Sequence, residues 1–219
     1  IYTLSLHDAL PIYQPCNGNL LFHGCIPFTE DGDFMEVTIG GKTNHGAALM
    51  KQLDHSLREA YFNPGEGVDK ADAANLMWYL WLGPDSPLFG KDKMTTFERL
   101  FIEDKATHKE HTVPYYKLIN DKDICIKIIR DFDLDPTKGI ILNGHVPVKI
   151  KDGESPIKGE GKLIVIDGGI SKAYQKTTGI AGYTFIFNSW FMALSEHEPY
   201  HPLQPDGTQE RLVDRKSVV

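Results

Sequence analysis

The sequence predicts an α/β protein, and three observations predict it. Two short apolar runs, Leu20-Leu21-Phe22-His23-Gly24 and Ile140-Ile141-Leu142-Asn143-Gly144-His145, each stop at a glycine with a histidine beside it. Longer stretches space their apolar residues at helical intervals. The composition, 41% hydrophobic and 24% charged with no low-complexity tract, is that of an ordinary globular chain with about one domain. A strand that carries a histidine to its C-terminal tip and then turns places an imidazole at the rim of a sheet, in reach of a metal ion. Taken singly, each histidine also fits a capped or hydrogen-bonded strand-end residue.

The elements follow in order. Residues 1–12, IYTLSLHDALPI, read as a translated sequencing adapter, and residues 214–219, DRKSVV, read as the reverse complement of the same adapter followed by a stop codon. Both ends are expected to add nothing to fold or function, and 13–213 is read as an internal fragment of a longer protein. A secretory signal is the poorer reading of residues 1–12, which have no initiator Met and no basic start and are interrupted by His7-Asp8.

Asn19 to His23 is a short buried-strand candidate, closed by Pro27 and the polar turn Glu30-Asp31-Gly32-Asp33. From Asn44 to Phe62, apolar residues at Ala48, Leu49, Leu53, Leu57, Ala60 and Tyr61 predict a helix that Asn63-Pro64-Gly65 ends. A second helix is expected over Lys70 to Leu82, with Leu76, Met77, Tyr79 and Leu80 read as core. The span 32–82 reads as a helical insertion carried by the sheet. Gly83 to Met94 is a Gly- and Pro-rich loop of the kind that carries function when a rigid scaffold holds it. His108 and His111 stand among Lys105, Lys109 and Glu110 and read as a solvated charged surface. Asp123 to Phe132 predicts an amphipathic helix; Gly139 to Asn143, Lys162 to Ile166 and Gly182 to Phe187 predict strands, with a hydrophilic loop over Lys149 to Gly161. No internal repeat and no domain boundary stand out.

Composition also excludes function classes. A net charge of −7 and the lack of a basic stripe argue against a general nucleic-acid binder. No apolar run approaches the roughly 18 residues of a membrane-spanning helix. Cys16, Cys25 and Cys125 are scattered and odd in number, which favours reduced cytoplasmic thiols over a disulfide framework.

Four separated segments carry a resemblance: Leu20 to Pro27 (LLFHGCIP), Tyr79 to Arg99 (YLWLGPDSPLFGKDKMTTFER), Asn143 to Gln175 (NGHVPVKIKDGESPIKGEGKLIVIDGGISKAYQ) and Thr177 to Trp190 (TTGIAGYTFIFNSW). In order and spacing they resemble class 3 fructose-1,6-bisphosphatase of Firmicutes-type bacteria, a branch of the calcineurin-like metallophosphoesterases. The resemblance implies the C-terminal part of a βαββα sandwich and a phosphatase that binds two metal ions. Its early motifs, Asp-x-His, Gly-Asp-x-x-Asp-Arg and Gly-Asn-His-Asp, are absent from the chain. Its later ones are present: His23 matches the histidine after the fourth strand and His145 the following Gly-His, so both are implied metal ligands. Leu80-Trp81 resembles the pair that precedes a substrate-facing loop. Asp167-Gly168-Gly169 and Ala181-Gly182 fall where a loop closes the site.

The implied activity is hydrolysis of the 1-phosphate of fructose 1,6-bisphosphate to fructose 6-phosphate in gluconeogenesis, with Mn2+ as the cofactor and a cytoplasmic location. The phosphate that stays on the sugar needs its own clamp, for which Lys91, Arg99 and Lys149 are the candidate cations. Gly168 and Gly169 could instead offer backbone N–H groups, although a Gly pair is more often a tight turn. With most of the ligand set missing, the chain alone is expected to be inactive. Alternatives are a protein Ser/Thr or dinucleoside polyphosphate phosphatase of the same superfamily, or a non-catalytic binding module on the same scaffold. Composition and spacing alone reach only an α/β protein with a histidine metal site.

Overall fold

The structure, a computed structural model, describes residues 12–62, 68–169, 178 and 182–197. The chain separates into two compact units, one of residues up to 143 together with 158–163, the other of 144–157 together with the residues from 164 onward.

A mixed sheet organises the first unit. β1 (Tyr13–Cys16) and β2 (Asn19–Phe22) form a hairpin whose two turn residues, Asn17 and Gly18, both have positive φ, 52° and 79°. That is the turn whose twist matches paired strands. β2 then runs parallel to β5 (Ile141–Asn143), with Leu20 opposite Ile141 and Phe22 opposite Asn143. Both strands are buried, as a continuous apolar run in a parallel pair requires. Beyond β5, the Ile141 N–H donates to the Lys162 carbonyl at 2.9 Å.

β2 ends one residue before the expected His23, which leaves the ladder to turn, and β5 ends at Asn143 as expected but begins at Ile141 rather than Gly139. Among the elements that escape the sequence reading are β1 and a second hairpin. β1 is polar and exposed, and the hairpin of β3 (Val37–Ile39) and β4 (Lys42–Asn44) is short. This hairpin left a signal in Gly40-Gly41, both of positive φ, directly after the β-prone triplet Val37-Thr38-Ile39.

Helices α1 (Gly46–Phe62), α2 (Val68–Leu82), α3 (Thr96–Phe101), α4 (Tyr115–Leu118) and α5 (Lys122–Asp131) complete this unit. α1 buries Leu49, Met50 and Leu53, and its first-turn Ala47 N–H donates to the Asp131 carboxylate of α5 at 2.6 Å. The negative charge lies where the helix dipole favours it. α5 starts at Asp121, whose side chain accepts from the Asp123 N–H, and buries Cys125, Ile128 and Ile129. Tyr115 of α4 is fully buried in the core, edge-on to Phe22 at 6.1 Å and near Phe28 at 6.5 Å.

α2 corrects one expectation. Leu80 is buried, but Met77, Trp78 and Trp81 are exposed, so the aromatic content of this helix does not mark core. Its apolar run Leu76-Met77-Trp78-Tyr79-Leu80-Trp81-Leu82 is continuous and so spreads around the axis, and α1 is a helix it packs against.

In the second unit, the Val165 N–H of β7 (Leu163–Val165) donates to the Pro156 carbonyl beside β6 (Ile157–Lys158). The Val148 N–H donates to the Asp167 carbonyl, and the Tyr183 N–H to Ile166. β8 (Tyr183–Phe187) pairs antiparallel with β9 (Met192–Glu196), an element that the sequence reading did not foresee.

Of the adapter-like ends, residues 1–11 and 214–219 lie outside the described residues, as does Ala181. Ile12 is described, and it corrects the expectation for its own position. It is buried, and its N–H donates to Asp54 Oδ1 at 3.0 Å.

Candidate functional site

The parallel register of β2 and β5 fixes where the two site strands end. Phe22 and Asn143 are paired, so both strands stop at the same edge of the sheet, and His23 follows Phe22 directly. C-terminal strand ends are where α/β sheets build sites. His23 is exposed there.

The turn that carries His23 is held from two directions. From β5, the buried Asn143 side chain donates through Nδ2 to the carbonyls of Gly24 at 2.7 Å, His23 at 3.1 Å and Phe22 at 3.3 Å. Its Oδ1 faces the Tyr115 hydroxyl at 3.4 Å, and this donor–acceptor pattern fixes the orientation of the amide.

From the other direction comes the loop after α2. The Cys25 N–H donates to the Pro87 carbonyl at 2.7 Å, and Gly24 approaches that carbonyl so closely that a Cβ would collide with it. The loop is itself locked by Ser86, fully buried, whose hydroxyl donates to the Leu80 carbonyl at 2.6 Å and accepts from the Leu88 N–H at 3.3 Å. Burial pushes the Cys25 thiol up, with Asp85 adding to the effect, so the sulfur stays a protonated packing group.

His145 is half-buried in the second unit and has φ of +68°. The Val146 N–H closes a tight turn onto the Gly144 carbonyl at 2.8 Å. A left-handed conformation at a residue with a Cβ costs about 1 kcal/mol, a strain met most often at functional sites.

The candidate cations are placed differently from one another. Lys91 Nζ lies 2.7 Å from Glu110 Oε2. Arg99 donates through Nε to Thr95 Oγ1 at 3.0 Å and lies 3.8 Å from Glu110 Oε1. Glu110 also accepts from the Thr95 N–H and hydroxyl at 3.0 and 2.9 Å, and the Lys91 hydrogen bond leads the interactions that hold its carboxyl down at about 2. Lys149 is exposed, and its backbone N–H donates to Glu154 Oε2. Gly168 and Gly169 are both buried; Gly169 has φ of +70°, and its N–H donates to Asp167 Oδ1 at 2.8 Å in a tight turn.

His108 and His111 belong to the segment bonded to the 92–99 stretch, where the His108 carbonyl accepts from Thr95 and Arg99 and the His111 carbonyl from the Asp92 N–H. His111 is exposed and sits 2.8 Å from Asp92 Oδ2, and His108 Nε2 is 2.8 Å from the Ile102 carbonyl.

Among the described residues, no three His, Cys, Asp or Glu side chains form a group that could hold a metal ion. The donors therefore fit a divalent ion only in part: each imidazole suits such an ion chemically, and neither has two further ligands beside it. No helix among the described residues is long and apolar enough to cross a membrane.

The family model described as Firmicute fructose-1,6-bisphosphatase matches residues 5–218. The chain belongs to that family. It is 55% identical over 195 residues to fructose-1,6-bisphosphatase class 3 of Clostridium botulinum (strain Kyoto / Type A2), a match that covers 89% of this chain and 29% of that protein. With the class 3 enzyme of Clostridium acetobutylicum it is 51% identical over 208 residues, 95% of this chain and 31% of that protein. The chain thus spans about three-tenths of the length of the curated relatives it matches. No solved structure matches it.

For this Firmicute fructose-1,6-bisphosphatase segment, the sequence reading named both histidines as candidates and did not single out the residues that shape the His23 turn. Asn143 was visible only as the end of an apolar strand, and Ser86 only as one residue of a Pro-rich loop. The usable signal was a polar amide inside a buried run, since such a group is costly unless it meets partners.

Proposed function

We propose that this chain is a segment of a fructose-1,6-bisphosphatase that hydrolyses the 1-phosphate of fructose 1,6-bisphosphate to fructose 6-phosphate and phosphate in gluconeogenesis, as a cytoplasmic enzyme. The observation that carries the reading is 55% identity over 195 residues to a protein named for that activity. In this reading, residues 13–213 form part of a metallophosphoesterase sandwich with an insertion over 32–82, and residues 1–11 and 214–219 are translated adapter.

His23 and His145 would hold a divalent ion, Mn2+ in our reading, as two ligands of a two-metal set completed outside this chain. Such ions, when bound, supply Lewis-acid polarisation of the phosphoryl oxygens and offset the charge of a dianionic substrate. The chain's own part is positioning. The His23 turn is fixed by Asn143 and Pro87, so the ligand needs little reorganisation. Lys149 is the cation readiest for the remote phosphate; Lys91 and Arg99 would have to leave Glu110 for it, and Gly169 would have to release Asp167 before its N–H could serve alongside Gly168.

The test is phosphate release by the full-length protein. Turnover of the sugar bisphosphate without turnover of a phosphopeptide or a dinucleoside polyphosphate is the expected result. The reverse preference would place the protein elsewhere in the superfamily, and no release from any of them would favour a binding module. The chain by itself is expected to release no phosphate.

A further inference from the structure

We propose that Asn143 is a positioning residue for His23, its side-chain amide fixing the backbone from which the imidazole leaves the sheet. The inference rests on the reading of His23 as a metal ligand. Ile141 and Leu142, its neighbours on β5, meet the demand of a buried strand with apolar side chains. An amide at the next position costs free energy unless its polar atoms find partners.

Those partners are specific. The ladder of β2 and β5 ends at the Phe22 and Asn143 pair, so the carbonyls of His23 and Gly24 lie past the last paired residue. Asn143 Nδ2 donates to both, and most closely to Gly24, the residue beyond the ligand. The amide therefore grips the backbone before, at and after His23, while Pro87 holds the Cys25 N–H on the far side. Between these anchors His23 is the residue with an exposed side chain, and its Cα–Cβ direction is set by buried groups. Partners that orient a ligand while touching no metal typically change affinity or turnover about 10- to 100-fold when removed.

The experiment uses the full-length enzyme freed of metal and titrated with Mn2+, with free Mn2+ counted by electron paramagnetic resonance, followed by steady-state kinetics. Asn143→Ala should weaken Mn2+ binding and lower kcat by about 10- to 100-fold while KM for the sugar bisphosphate changes little. Asn143→Ser, which keeps a hydroxyl donor, should recover part of both. Ile141→Val destabilises the same strand without touching the turn and should leave both unchanged. Asn143 variants that match Ile141→Val in affinity and kcat would overturn the inference. If Asn143→Ala does not fold, the serine variant decides on the same comparison. His23→Ala run in parallel keeps the two ideas separate: unchanged Mn2+ binding there removes His23 as a ligand, whereas a loss there with normal Asn143 variants removes only the positioning role.

Discussion

The Cys25 N–H donates to the Pro87 carbonyl at 2.7 Å, tying the turn after β2 to the loop after α2 across more than sixty residues of sequence. The bond joins an apolar strand end to a Pro-rich loop. The approach it requires leaves no room for a Cβ at Gly24.

Gly24→Ala should therefore destabilise the protein by about 3 kcal/mol, because the atom in the way is backbone and cannot rotate aside. The same change should lower turnover of the full-length enzyme, since it shifts the residue next to His23. Urea unfolding and initial rates measure the two effects. A variant with wild-type stability would mean that the loop does not pack here.

If the proposed ligand role holds, replacing His23 or His145 by Ala in the full-length enzyme should reduce turnover by roughly a thousandfold or more, because losing a metal ligand acts on the transition state. His108→Ala and His111→Ala should stay within about twofold of wild type, since exposed pairs contribute little. Rates and metal content of all four variants, compared at one Mn2+ concentration, check the assignment.

Glu110 predicts an acid-dependent loosening of the 91–99 segment. Its folded carboxyl is held at about 2, below the ordinary 4.5, first by the Lys91 hydrogen bond. A depressed carboxylate contributes stability above its unfolded value and loses it as pH falls from about 4.5 toward about 2. Glu110→Gln should cost on the order of 2 kcal/mol at neutral pH, and this difference from wild type should shrink across that window. Unfolding curves at several pH values test it, and a difference that is constant with pH would contradict the assignment.

Ile12→Ala should lower stability by about 2 kcal/mol, because the side chain is buried and its removal leaves a cavity. A neutral result in urea unfolding would return Ile12 to the inert end expected from the sequence.

By itself the sequence determined what local periodicity can encode. The apolar runs at Leu20 to Phe22 and Ile140 to Leu142 set two strands, and helical spacing set α1 and α5, because burial of one face follows from residue order alone. The histidines at the strand tips were legible for the same reason. Only the tertiary structure decided that β2 and β5 are parallel neighbours, that Asn143 spends its amide on the His23 turn, and that Lys91 is paired with Glu110. It also exposed Trp78 and Trp81 on a helix read as core. These outcomes depend on partners 19 to 121 residues away, and a buried polar group or a cation shows its role only once the chain brings such partners within hydrogen-bond reach.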